Sequence, residues 1–127
     1  MTESRQQRPV FFNLMRIQMP VGALTSIAHR ITGMVLAFSI PFGIYVLDVS
    51  LQGPHGYAQV IAMLGIWPVK GALIVSAWAL AHHLLAGIRH LLSDVDIGSQ
   101  LPAARCSAWV VNVGGVVVAL FAAGLLL

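Results

Sequence analysis

The sequence is poor in charge and almost free of cysteine, and each shortage excludes a class of protein. Charged residues make up 9% of the 127 residues, and only four side chains are acidic. Such a chain cannot present the basic exposed face of a soluble nucleic-acid binder, so we expect no nucleic-acid partner. The single cysteine, Cys106, excludes a disulfide framework, a zinc knuckle and an iron–sulfur ligand set within this chain.

Nucleotide-binding fingerprints and targeting signals are also missing. No Gly-rich dinucleotide or P-loop motif occurs, so we expect any flavin or nicotinamide chemistry to reside on another protein. The first twenty residues lack the continuous apolar core of a secretory signal, and they are too short and mixed for a transit peptide. These features favour a bacterial cytoplasmic membrane over the mitochondrial inner membrane.

Long apolar segments are the most prominent feature of the sequence. Hydrophobic residues make up 58% of the chain, above the share found in soluble domains. Three apolar runs, each near the roughly 20 residues that cross a bilayer core, occupy about residues 26–47, 68–92 and 108–127. We therefore predict an all-α membrane protein of three transmembrane helices, folded as a single membrane-anchor domain over residues 1–127.

Shorter segments separate the three runs. Glycine and proline in residues 52–57 predict a loop, and residues 93–102 predict a polar connector. The brief apolar stretch at residues 58–67 is closed by Pro68, so we expect an interfacial or re-entrant helix there. Pro68 itself suits the first turn of the second span, where its missing N–H costs little.

Positive charge is distributed unevenly along the chain. All six arginines fall on one side of the predicted membrane: Arg5, Arg8, Arg16, Arg30, Arg89 and Arg105. The segment on the other side has only Lys70. By the positive-inside rule, the N-terminus lies in the cytoplasm and the C-terminus on the opposite side.

Ionisable side chains at membrane depth are costly, so each is a functional candidate. His83 and His90 share one face of the second span, whereas His82 is turned about 100° away. Apart from these histidines, that face consists of small residues: Ala72, Ser76, Ala79 and Gly87. Three explanations stay open: haem ligation by His83 in a groove suited to a flat macrocycle, helix packing around a hydrogen-bonded histidine, and a proton relay.

Haem ligation would restrict the choice of a second ligand, because two axial ligands approach the iron from opposite faces. His83 and His90 lie about 10 Å apart along one helix face, so they cannot form that pair. The second ligand would come from His29 in the first span or from a partner chain.

A second candidate site lies at the start of the first span. Ser26 and Arg30 are four residues apart and share a helix face, where a hydroxyl and a guanidinium could bind the carbonyl oxygens of a quinone. His29 points elsewhere and could meet a carboxylate or propionate. The alternative is that Arg30 extends to the headgroups and Ser26 caps the helix.

Two motifs of the chain together resemble a known family. The first is Ser26-x-x-His29-Arg30-x-Thr32-Gly33, preceded by Arg8-Pro9. The second is His83-x-x-x-Gly87-Ile88-Arg89-His90, followed by Asp94. In this order and spacing, over residues 8–96, they resemble the cytochrome b subunit of succinate dehydrogenase, one of two membrane anchors of succinate:quinone oxidoreductase. Ser93 departs from the family pattern, which usually has an aromatic residue or Met before the aspartate.

The resemblance implies a role for each of these polar residues. His83 matches the axial ligand of haem b, and is thus the residue that would bind the haem iron. Ser26 and Arg30 match residues of the quinone site. His29 and Arg30 lie where the family contacts the haem propionates.

The resemblance also implies a function as one subunit of an oxidoreductase complex. The chain would anchor that complex in the membrane, share haem b with a second anchor that supplies the other iron ligand, and help form the site that reduces ubiquinone or menaquinone. An iron–sulfur subunit and a flavoprotein subunit would supply the electrons from succinate, because the dehydrogenase centre lies outside this chain.

Two alternatives come from other classes of protein. One is a cofactor-free membrane scaffold of a related fumarate or succinate complex. The other is a small proton or metal transporter that uses His82, His83 and His90. A reduced-minus-oxidised haem spectrum separates the first alternative from the haem-binding subunit.

Overall fold

The computed structural model describes residues 18–127, and over that range the chain folds into four α-helices. They are α1 (Val21–Leu51), α2 (Pro54–Leu64), α3 (Trp67–Asp94) and α4 (Leu101–Leu126). Helices α1, α3 and α4 are long and apolar enough to cross a membrane. The predicted all-α fold with three such helices is therefore confirmed for this part of the chain. Arg5, Arg16 and the Arg8-Pro9 motif lie outside the described residues.

Helix α1 extends beyond the predicted first span at both ends. It begins at Val21 and ends at Leu51, because backbone hydrogen bonding continues past the most apolar stretch. It also contains Pro41, which removes one backbone donor. Prolines are tolerated in membrane-spanning helices because neighbouring groups and local adjustments satisfy the freed carbonyl.

Helix α2 begins earlier than the sequence suggested, inside the segment predicted to be a loop. Pro54 occupies its first turn, and the turn before it contains Gly53 with φ of 101°. Gly56 is buried against the backbone carbonyl of Val49, so the helix can fold back closely against the end of α1. With 11 residues, α2 is about 16 Å long and too short to cross a bilayer.

The connector between α3 and α4 is shorter than predicted. Helix α3 continues to Asp94 and α4 begins at Leu101, so the polar segment predicted over residues 93–102 is partly helical. The chain reverses its direction between α3 and α4 in a turn that contains Asp96 and Gly98, with φ of 60° and 73° respectively. Pro68 lies in the first turn of α3, as predicted.

Helix α3 packs against both α1 and α4. The contacts are close because the residues at the helix interfaces are small: Ala79, Ala86 and Ala108 are fully buried. The outward faces are apolar and exposed, as at Phe38 (82% exposed) and Phe121 (69% exposed). In a membrane such faces are covered by lipid or by helices of partner proteins.

The start of α1, the end of α3 and the start of α4 lie together at one end of the bundle. Arg89 shows this arrangement directly, because its Nη2 donates to the carbonyl of Ala104 at 3.3 Å and also reaches Gly22. A Cβ atom on Gly22 would lie 3.4 Å from that nitrogen. Arg89 and Arg105 are therefore at the same end, whereas Lys70, near the start of α3, is at the other.

Candidate functional site

Three histidines from α1 and α3 meet between these helices. The rings of His29 and His83 are stacked, with centroids 4.1 Å apart and an angle of 12° between their planes. The ring of His90 lies 5.2 Å from that of His29 at an angle of 59°. The structure thus brings together two of the predicted site residues, His29 and His83, with His90 beside them.

Hydrogen bonds to one of its two ring nitrogens fix the orientation of the His83 imidazole. Its Nδ1 lies 3.0 Å from the backbone carbonyl of His29 and 3.3 Å from the hydroxyl of Thr32. The Thr32 hydroxyl itself donates to the same carbonyl at 2.9 Å. Because a carbonyl only accepts, Nδ1 carries the proton and Nε2 has a free lone pair. No hydrogen bond to Nε2 occurs among residues 18–127.

This arrangement is the one that metal-bound histidines commonly have. A histidine ligand usually donates its other N–H to a carbonyl or carboxylate, which fixes the tautomer and orients the ring. His83 meets that requirement through α1, and its half-buried ring leaves one nitrogen available. The donor set therefore fits an axial ligand of haem iron.

The small-residue face predicted around His83 is only partly a packing surface. Ala79 is fully buried and Gly87 half-buried, but Ala72 is exposed. The most buried stripe of α3 instead runs through Ala79, His82 and Ala86. His83 thus lies at the margin of the α1–α3 contact, where its ring packs against α1.

Ser26 and Arg30 lie on a different part of α1 from its buried residues Thr25 and Thr32. The Ser26 hydroxyl donates to the carbonyl of Gly22 at 3.1 Å. Helix α1 begins at Val21 after Pro20, so the interpretation of Ser26 as a helix cap is wrong. Arg30 is exposed, so its guanidinium is accessible at the helix surface one turn beyond Ser26.

The structure also has a polar cluster that sequence reasoning missed, made of Thr25, His82 and Asn112. His82 Nε2 is 3.0 Å from Asn112 Oδ1, and the Thr25 hydroxyl is 3.2 Å from the same oxygen. Thr25 is fully buried and His82 is 2% exposed. We call it the Asn112 cluster. The sequence feature that could have indicated this cluster is Asn112 itself, because it is an amide within an otherwise apolar span.

A second polar contact joins the ends of α3 and α4. Arg89 Nε donates to the hydroxyl of Ser107 at 3.1 Å, and that hydroxyl donates to the carbonyl of Ala104 at 3.2 Å. Arg89 belongs to the second sequence motif, but that motif does not predict its partners on α4. Its visible role in the described residues is to join helices.

Comparison with known proteins assigns this arrangement to a family. The profile of the succinate dehydrogenase/fumarate reductase transmembrane subunit matches residues 4–123. The succinate dehydrogenase cytochrome b556 subunit of Paracoccus denitrificans is 34% identical over 116 residues, which cover 91% of this chain and 89% of that protein.

Further relatives agree with this assignment. The cytochrome b556 subunit of Coxiella burnetii is 34% identical over 109 residues, covering 84% of this chain and 86% of that protein. The mitochondrial cytochrome b560 subunit of Dictyostelium discoideum is 30% identical over 96 residues, covering 71% of this chain and 47% of that protein. The chain therefore belongs to the family of succinate dehydrogenase/fumarate reductase transmembrane subunits, among the cytochrome b subunits of succinate dehydrogenase.

Proposed function

We propose that this chain is the haem b-binding membrane anchor of a succinate:quinone oxidoreductase complex, and that His83 supplies one axial ligand. The observation that carries the proposal is the hydrogen bond from His83 Nδ1 to the His29 carbonyl, which leaves Nε2 free to bind iron. When bound, haem b supplies a one-electron carrier within the membrane. Family membership supports a subunit of an oxidoreductase rather than a transporter.

A partner anchor subunit would supply the other ligand of the haem iron. Within this chain, the sequence leaves only His29 as a candidate for that ligand. Its ring is stacked on that of His83 with centroids 4.1 Å apart, which leaves no space for a flat macrocycle between the two imidazoles. His29 is therefore unsuited to complete the pair, and this supports a ligand from another chain.

His29 and Arg30 would hold the haem propionates. The ring nitrogens of His29 make no hydrogen bond among residues 18–127, and the Arg30 side chain is exposed beside it in the sequence. An imidazole and a guanidinium both donate to carboxylates, and the guanidinium does so with two parallel hydrogen bonds. These residues thus orient the macrocycle relative to His83.

Ser26 and Arg30 bind the carbonyl oxygens of the quinone, ubiquinone or menaquinone. The hydroxyl of Ser26 turns from the Gly22 carbonyl to donate to one oxygen, and the guanidinium of Arg30 donates a charge-assisted hydrogen bond. Both donors stabilise the negative charge that develops on the oxygens as electrons arrive. Reduction to quinol takes up two electrons and two protons.

The electrons come from succinate through a flavoprotein subunit and an iron–sulfur subunit, which lie at the end of the bundle that contains Arg30, Arg89 and Arg105. This end faces the cytoplasm of a bacterium according to the distribution of arginines, with the C-terminus on the opposite side of the inner membrane. The relatives in Paracoccus and Coxiella support a bacterial inner-membrane location.

The test is a dithionite-reduced minus oxidised spectrum of the intact purified complex, with haem quantified per flavin. We expect a b-type spectrum and one haem for each copy of this chain. A complex that contains all its subunits and reduces quinone but holds no haem would contradict the proposal and favour a cofactor-free scaffold.

A further inference from the structure

We infer that the Asn112 cluster is a positioning device that fixes the rotation of α3 about its axis and thereby the direction of His83 Nε2. The inference rests on the proposed function, in which that nitrogen binds haem iron. Among residues 18–127, no hydrogen bond joins these three side chains to the imidazoles of His29 and His83, so their effect on His83 is indirect.

The cluster joins three helices through one atom. Asn112 Oδ1 of α4 accepts hydrogen bonds from His82 Nε2 of α3 and from the Thr25 hydroxyl of α1. The Thr25 hydroxyl has one hydrogen, which it shares between Asn112 Oδ1 at 3.2 Å and the Val21 carbonyl of its own helix at 2.9 Å. Thr25 is fully buried, His82 is 2% exposed and Asn112 is half-buried, so removing the Asn112 acceptor deprives two buried side chains of a partner in the protein.

Trp78 packs beside His82, with ring centroids 5.8 Å apart, but the fully buried residues that flank His82 on α3 are small. Ala79 and Ala86 flank His82 on the buried stripe of α3, and both are fully buried. Gly115 allows α4 to approach, because a Cβ atom there would lie 3.2 Å from His82 Cβ. Small, smooth surfaces of this kind pack almost equally well after a slight rotation, whereas a buried polar contact specifies one register.

His82 and His83 are consecutive residues of α3, so the rotation that satisfies one sets the direction of the other. The side-chain surface of a helix lies about 5–6 Å from its axis. A rotation of about 10° would therefore displace a ring nitrogen by about 1 Å. Helix α3 is held on the α4 side through His82 and on the α1 side through His83 Nδ1.

Loss of the cluster should therefore change the environment of the haem iron without removing a ligand. A rotated α3 would alter the hydrogen bond between His83 Nδ1 and the His29 carbonyl, and that bond sets the basicity and plane of the coordinating imidazole. Residues 25, 82 and 112 are accordingly positioning residues. A merely structural cluster would affect the amount of assembled complex but not the signature of its haem.

The experiment uses the intact complex with Asn112→Leu, which keeps the branched shape of the side chain but removes the acceptor. We expect haem content per flavin near that of the wild type, together with a shifted low-spin ferric EPR signal and a shifted midpoint potential. Thr25→Val should shift both in the same direction, and Thr25→Ser, which keeps the hydroxyl, should restore the wild-type signal. If Asn112→Leu prevents assembly, the two Thr25 variants decide the question.

Val111→Ala is the matched control. Val111 is the neighbour of Asn112 on α4 and is 4% exposed, so its truncation weakens the same helix packing without touching the polar cluster. Its EPR signal should equal that of the wild type even if its melting temperature falls. An unchanged signal in the Thr25→Val complex, or an equal shift in Val111→Ala, would overturn the inference while leaving haem ligation by His83 intact. Absence of haem from the wild-type complex would instead overturn the proposed function and this inference with it.

Discussion

Gly33 of α1 lies directly against the imidazole of His83 of α3. A Cβ atom on Gly33 would come within 2.9 Å of Cε1 and 3.4 Å of Nδ1 of that ring. Real Cβ atoms do not approach other heavy atoms so closely, so any side chain at this position must displace His83 or separate the two helices. The absence of a side chain at Gly33 is thus a condition for the stacked His29–His83 arrangement.

Gly33→Ala should therefore reduce haem binding. The added methyl group displaces the ring and its hydrogen bond to the His29 carbonyl, and loss of such support typically weakens metal binding by about 10–100-fold. The measurement is the haem content per flavin of the purified complex. Gly43→Ala is the control on the same helix, because a Cβ atom there meets nothing within 4 Å. Equal haem content in the two variants would show that Gly33 does not determine the position of His83.

Gly115→Leu should destabilise the contact between α3 and α4. A Cβ atom at Gly115 would lie 3.2 Å from His82 Cβ and 3.3 Å from Trp78 Nε1, so a leucine overpacks the interface at a cost of about 1–3 kcal/mol. The melting temperature of the complex in detergent should fall. Gly124→Leu, at an exposed position of the same helix with nothing within 4 Å, should leave it near the wild-type value. A melting temperature for Gly115→Leu that matches that of Gly124→Leu would contradict this packing.

Ser26→Ala and Arg30→Leu should impair quinone reduction while succinate oxidation by an artificial dye continues. The dye takes electrons from the peripheral subunits, whereas the quinone needs the two donors. A neutral hydrogen bond contributes about 1 kcal/mol and one to a charged group about 1.5–3 kcal/mol, so Arg30→Leu should be the more severe variant. The two activities are measured on the same purified membranes.

Ser39→Ala is the control for the serine variant. Its hydroxyl also lies on α1 and donates to a carbonyl of its own helix, that of Leu36, at 2.8 Å. Removing it should leave both activities unchanged. If Ser26→Ala or Arg30→Leu lowered the dye and quinone reactions equally, these residues would hold the complex together rather than bind quinone.

The long helices of this fold could be predicted from the sequence because apolar runs of sufficient length leave few alternatives in a chain so poor in charge. The residues at which these helices begin and end could not be predicted. Val21 precedes the predicted first span, and Pro54 opens α2 inside a predicted loop, because helical hydrogen bonding depends on the backbone as well as on hydropathy. The position of Pro68 was predictable because its ring favours a helix start.

The candidate site was predictable in its residues but not in its contacts. Helical spacing separates His82 from His83, and the structure places them against different neighbours, Asn112 and Thr32. Spacing within one helix says nothing about which side chain of a distant helix lies opposite. The pairing of His82 with Asn112, 30 residues later, therefore could not be read from either motif.

The most direct test of this account is the haem content of the complex that contains His83→Leu. The substitution removes the nitrogen that Nδ1 hydrogen bonding leaves free for iron, while leucine keeps the site filled and apolar. We predict loss or strong perturbation of the b-type spectrum, and a normal spectrum in the complex with His55→Leu, an exposed histidine of α2. A His83→Leu complex that retains one haem with an unchanged reduced-minus-oxidised spectrum would contradict the assignment of His83 as the iron ligand.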